Sequence, residues 1–262
     1  MAVYKKKAYK KAKKVEQKIE DESLVAKSLT EADSLVVKIE RFLEKYQNKI
    51  FLGIGIIALA VVGYYYYHSN VVIPKQQKAA NDLYPAQALF EKALATTDPD
   101  EQKALFQKAL EGDGAHFGFL DIVEEYGGTP SGRLAHYYAG VSYYHLGQFD
   151  KAIEELSKFK AKDEILRPMA LGLIGDSFLQ LNQPEDALDY FEQAALFSDN
   201  EFTAPMFLFK AGRTALELYQ SGQDKKYLDK AEKYFKEIVE DYPQSNFVGD
   251  AKLYLAQVEQ LK

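Results

Sequence analysis

Ile50 to Tyr67, IFLGIGIIALAVVGYYYY, is the one uncharged run in this 262-residue chain that is long and apolar enough to cross a bilayer. As a helix rising roughly 1.5 Å per residue it spans about 27 Å, close to a hydrocarbon core of about 30 Å. The other residues are polar enough for water. The sequence therefore describes a soluble module on a tether, with an anchor over 50–68 and the module on one side of it.

Charge indicates the side. Residues 1–49 hold 13 Lys and Arg against 8 Asp and Glu, and the remaining residues hold 20 against 31. Lys5, Lys6, Lys7, Lys10, Lys11, Lys13 and Lys14 form a basic block, and Lys45 and Lys49 adjoin the apolar run. Basic residues near a span stay on the cytoplasmic side, so the N-terminus is expected inside and the acidic C-terminal part outside. Tyr64 and Tyr67, with the two tyrosines between them and His68, then lie at the outer headgroup level, where amphipathic rings settle. A cleaved signal peptide fits less well, because the basic leader is too long and no small-residue cleavage site follows.

The chain has no cysteine, which removes disulfides, thiolate metal sites, a cysteine nucleophile and lipidated cysteine. Residues 1–30, dense in lysine and without an apolar face, read as a disordered cytoplasmic tail. Such a tail touches anionic lipid or RNA when it binds at all. Over 31–49, Leu35, Ile39, Phe42 and Tyr46 recur at helical spacing and predict an amphipathic helix entering the anchor. Pro74 closes a linker, and the outer domain occupies 75–262.

Repetition governs that domain. In RLAHYYAGVSYYHLGQFDKAIEELSKF, Gly140 and Tyr143 precede a turn at Leu146 and Gly147, and Ala152 and Leu156 follow it. MALGLIGDSFLQLNQPEDALDYFEQAA repeats the order with Gly175, Phe178, Leu181, Asn182, Ala187 and Phe191. Gly140 to Gly175 is 35 residues, as is Ala152 to Ala187. A third unit holds Gly212, Ala231, Phe235 and Pro243, with its two helices separated by an extra stretch, LYQSGQDKKYLDK. The period suits a helix-turn-helix unit of about 34 residues. Residues 79–94 and 105–110 suggest a degenerate opening pair. Tyr126, Ala135 and Tyr138 each lie 116 residues before Tyr242, Ala251 and Tyr254, so FLDIVEEY reads as the end of a second helix, and AKLYLAQVEQLK as a polar capping helix.

These segments resemble tetratricopeptide repeats. The resemblance implies that the single N-terminal transmembrane helix is followed by an all-α, right-handed solenoid of four to five helix pairs, with a glycine at each close helix contact. It also implies that the first helix of each pair lines a concave face. The groove positions are then Leu134, Tyr137, Val141 and Tyr144 in the first clear unit, Met169, Asp176 and Leu179 in the second, and Met206, Phe209, Arg213 and Leu216 in the third. An apolar groove bearing Met and Tyr suits an extended peptide or a partner helix. It lacks the clustered Lys and Asn of a carboxylate clamp.

Chemistry is harder to locate. His68, His116, His136 and His145 form no metal-ligand spacing, and GDGAHFGF lacks the pattern of a phosphate-binding loop. No Ser-His-Asp arrangement stands out. The sequence thus predicts a non-enzymatic binding module with no cofactor, nucleic-acid or small-molecule partner.

The segment RFLEKYQNKIFLGIGIIALAVVGYYYYHSN resembles the anchor region of YfgM-type proteins, ancillary subunits of the bacterial SecYEG translocon that associate with the PpiD chaperone. That resemblance implies an inner-membrane protein with a periplasmic domain, whose partners are translocon subunits, a periplasmic chaperone or nascent client polypeptides. Ile50, Gly53, Gly55, Tyr64 and Tyr67 are then the anchor residues, with Gly53 and Gly55 allowing close helix approach. A scaffold for outer-membrane assembly, secretion or division carries the same sequence features.

Overall fold

A computed structural model describes the backbone from Ala2 to Lys262 and the side chains from Leu35 onward. The chain divides into two units, Met1–Asn70 and Val71–Lys262.

The first unit is one helix, α1, Ala2–Tyr67. It begins well before Thr30, where the apolar pattern starts, and covers the stretch read as a disordered tail. The cause is compositional: lysine, alanine and glutamate favour helix, and no glycine or proline occurs before Gly53. The charge pattern of the tail's side chains lies outside the described residues. From Leu35 the helix holds an 18-residue window of mean hydropathy 1.9, long and apolar enough to cross a membrane, with none of that window buried. Ile57 and Leu59 are 66% and 75% exposed. The backbone stays helical after Tyr67, through a π-helical turn at His68–Val72. The stretch read as a linker closed by Pro74 is thus helical. Pro74 is the second residue of α2 and follows the π-helical turn directly.

The second unit is all α: α2 Ile73–Ala95, α3 Pro99–Glu111, α4 Phe119–Tyr126, α5 Pro130–His145, α6 Phe149–Lys158, α7 Leu166–Gln180, α8 Pro184–Phe197, α9 Thr203–Gly222, α10 Lys225–Asp241 and α11 Val248–Gln260. Consecutive helices pack on one another.

The 35-residue period is reproduced at the level of single hydrogen bonds. After α5, the chain turns through Gly147 at φ 72°, and Gln148 N–H donates to Tyr143 O at 2.9 Å. After α7, the residue 35 places on, Asn182, takes φ 57°, and Gln183 N–H donates to Phe178 O at 2.9 Å. Glycine and asparagine tolerate this left-handed conformation, which closes a helix by satisfying its last carbonyls. Ser142 and Ser177 each return a hydroxyl to the carbonyl four residues back, both at 2.8 Å.

Close approach at the glycines is equally direct. A Cβ on Gly140 would lie 2.5 Å from Leu156 Cγ, one on Gly175 2.6 Å from the Phe191 ring, and one on Gly212 2.7 Å from the Phe235 ring. The facing Ala152, Ala187 and Ala231 are fully buried. In the third unit the extra residues lengthen the helices instead of loosening the turn. α9 and α10 run to 20 and 17 residues, against 16 and 10 in α5 and α6, and the turn is a left-handed Gln223 followed by an Asp224 cap.

The 116-residue echo is also physical. Tyr138 stacks on Phe119 at 5.2 Å and 13°, and Tyr254 on Phe235 at 5.0 Å and 16°. Phe90 meets Phe119 and Tyr138 edge-on, as Phe209 meets Phe235 and Tyr254. Tyr126 donates to Asp82 of α2 at 2.6 Å, whereas Tyr242 donates at 2.7 Å to Asp199 in the loop before α9, so only the aromatic contacts carry the correspondence. Hence α2, α4 and α5 stand to one another as α9, α10 and α11 do. This corrects the sequence reading of the opening pair. Its second helix is the short α4, not residues 105–110, and α3 is an insertion covering α2 and α5 through Phe106, which meets Phe90 and stacks flat on His145. FLDIVEEY is accordingly a helix of its own and not the tail of a longer one. The first helices of the array are thus α2, α5, α7, α9 and α11, and the second helices α4, α6, α8 and α10.

Candidate protein-binding groove

Apolar residues at helical spacing on a first helix have two neighbours to satisfy, its own second helix and the next unit, and most of the expected groove residues are used in that way. Met169, Leu179, Met206 and Phe209 are partly buried against the core around Phe191, Phe207 and Phe235. Leu134, Tyr137, Val141 and Tyr144 pack in the same manner around Ala152, Leu156 and Ile174. Tyr137 lies 5.3 Å from the Phe159 ring and Tyr144 5.6 Å from the Phe149 ring. Leu216 is 3% exposed.

What remains open is more polar than the sequence suggested. Three successive first helices, α7, α9 and α11, enclose a recess of about 700 Å³. Asp176 and Leu179 come from α7; Lys210, Arg213, Glu217 and Gln220 from α9; Tyr254 and Gln257 from α11. Phe191 of α8 and Leu216 lie at its base. A second hollow of about 480 Å³ adjoins it, sharing Arg213, Tyr254 and Gln257 and adding Phe209, Asp250 and Leu253. Of the expected residues, Asp176, Leu179, Phe209 and Arg213 are therefore brought together here. The expectation of a mainly apolar, Met-bearing lining is corrected: the apolar side chains are consumed by inter-unit packing, and the polar positions between them face the opening.

Asp176 is not a free anion. Lys210 Nζ donates to its Oδ1 at 2.7 Å and its Oδ2 at 2.6 Å, joining α7 to α9 within the groove. The same ammonium stands 5.5 Å from the Phe191 ring and 6.0 Å from the Phe207 ring. Burial, and after it the charge of Asp176, pushes the Tyr144 hydroxyl above its ordinary 10, so α5 contributes to the same neighbourhood. Sequence reasoning missed Lys210, Glu217, Gln220 and Gln257. Lys210 was not traceable, because the glycine register equates Asp176 with Arg213, 37 residues on, and nothing marks Lys210 apart from ordinary surface. Gln257 was not traceable either, because its helix was read only as a cap.

The histidines serve packing and capping. His136 Nδ1 lies 2.7 Å from Glu155 Oε2, joining α5 to α6, and His116 closes a loop in which Asp113 accepts two backbone N–H groups. Among the described residues no group of His, Asp and Glu is placed to hold a metal ion.

Tetratricopeptide repeat models match residues 134–163, over α5 and α6, and residues 173–246, over most of α7 to α10. The chain carries tetratricopeptide repeats. No curated protein matches it. Repeats of this type indicate a protein–protein interaction module, and the recess lies across three first helices of the array, α7, α9 and α11.

Proposed function

We propose that the protein is a non-enzymatic, membrane-tethered binding platform whose concave groove holds a segment of another polypeptide. The observation that carries it is the recess across α7, α9 and α11, in which Gln220, Gln257 and Arg213 offer donors and acceptors beside Leu179 and Tyr254. Amide side chains with an apolar neighbour suit the backbone of an extended chain, and the length of the opening along three helices suits a segment and not a small molecule.

The apolar stretch of α1 is the tether. Lysine on its N-terminal flank and the tyrosine belt at its C-terminal end support a single pass with the N-terminus cytoplasmic and the repeats outside. The anchor's resemblance to YfgM-type proteins supports a bacterial inner-membrane location and a place beside the SecYEG translocon, with translocon subunits, a periplasmic chaperone or an emerging chain as partners. The polar lining favours a second reading as well, a scaffold for another envelope complex with one dedicated partner.

Crosslinking in native membranes followed by mass spectrometry separates the two. Translocon subunits or their chaperones among the adducts support the first reading, and outer-membrane assembly, secretion or division proteins support the second. A reporter active only in the cytoplasm, fused after Lys262, is expected to be silent, and activity there would overturn the orientation.

A further inference from the structure

α1 leaves an apolar seam uncovered on both sides of the membrane boundary. From Ile39 the alternating spacing four, three, four, three continues to Tyr67 without meeting a charge, through Leu43 and Tyr46 on the water side, then Ile50, Gly53 and Ala60 within the apolar run. Lys45 and Lys49 fall off it. Four heptads of this regularity exceed what an anchor alone requires and match the seam along which helices coil around one another. Ile39 and Leu43 are 56% and 48% exposed, although they precede the apolar run and so face water.

Lipid does not cover the water-side half. The helix is unbroken from Ala2 to Tyr67, and without glycine or proline before Gly53 it has no point at which to bend and lie on the bilayer surface. We propose that the occupant of this seam is a second copy of the chain. Copies of a single-pass protein insert the same way, so residue 43 of one stands level with residue 43 of the other, and the seam meets itself in parallel and in register. Gly53 meeting Gly53 and Ala60 meeting Ala60 at the level of the membrane allow the backbones to approach there. The strip is about 42 Å long and about 10 Å wide, so two copies bury about 840 Å² in all, under the roughly 1,000 Å² that marks an interface between soluble partners, which suits a contact between copies already held in one membrane plane.

The inference rests on the anchor reading, and one experiment keeps the two apart. The chain has no cysteine, so single introduced thiols report without background. Leu43→Cys and Ala60→Cys lie on the seam; Asn48→Cys and Leu59→Cys lie on the opposite face. Each full-length variant is oxidised mildly in native membranes. The seam variants should give a disulfide-linked species of twice 29.7 kDa several-fold more than the off-seam variants. Membrane-bound protein that stays monomeric, forms adducts with a different protein, or dimerises equally at all four positions would overturn the pairing. Recovery in the soluble fraction would overturn the anchor instead.

Discussion

Lys210 on α9 grips both carboxylate oxygens of Asp176 on α7, 34 residues earlier, and so joins neighbouring repeats within the groove. The pair is partly open to water, with side-chain exposures of 35% and 24%, which limits what it adds to stability. Its larger effect is on what the groove presents: with Lys210 in place, Asp176 is neutralised and Arg213 is left as the outward cation.

Lys210→Met should therefore cost about 1 kcal/mol or less in urea unfolding while exposing an uncompensated carboxylate to any bound segment. A double-mutant cycle with Asp176→Asn should return a coupling of the same size. A coupling of zero would mean that the bridge does not hold these helices together.

The glycine contacts make a sharper claim about packing. Gly140→Leu and Ala187→Leu should each lose about 1–3 kcal/mol, because Leu156 already crowds Gly140 and Ala187 is fully buried. Gly114→Leu is not an equivalent control, since Gly114 takes φ 83°; Gly249, with nothing near its added Cβ, is. Losses below about 0.5 kcal/mol at both core sites, judged against ordinary surface substitutions, would contradict the register of the repeats.

Glu155 should make the array acid-sensitive. Burial alone pushes its carboxyl up, but hydrogen bonds from His136 and Lys158 outweigh that and hold it below its ordinary 4.5. A carboxylate depressed in this way contributes stability that is fully present above pH 4.5 and is lost as the pH falls through the lower folded value. Glu155→Gln should destabilise the protein by about 1–3 kcal/mol at pH 7 and by progressively less below pH 4.5. Equal sensitivity of both proteins across that range would remove the pair from the account.

Tyr126 and Tyr242 give a spectroscopic check on their bonds to carboxylates. Burial and the adjacent Asp82 push its hydroxyl up to about 12, and Tyr242 is raised in the same direction by burial and Asp199. Ultraviolet titration should find these two ionising after the exposed tyrosines, and Tyr126→Phe and Tyr242→Phe should each remove one late-titrating ring at a cost of about 1 kcal/mol. Early titration of either would mean that its hydroxyl is not held by the carboxylate described here.

The fold was legible wherever a position tolerates one kind of residue. Gly140, Gly175 and Gly212 declare close contacts, and Gly147 and Asn182 declare left-handed turns, so the period could be counted. The insertion of α3 was hidden because an amphipathic helix that covers two neighbours has the same apolar spacing as a repeat helix. The groove was only half legible for a related reason. Periodicity marks which side chains are apolar but not which neighbour consumes them, so Met169 and Met206 looked available, while Lys210 and Gln257, which face the opening, looked like ordinary surface.

Photoreactive amino acids placed singly at Arg213 and Gln257 in the groove, and at Lys151 and Glu154 on the outer helix α6, test the central claim in native membranes. The account predicts discrete polypeptide adducts from the two groove positions and little from α6. Adducts from α6 alone, or none from the groove in protein that remains folded and membrane-bound, would contradict it.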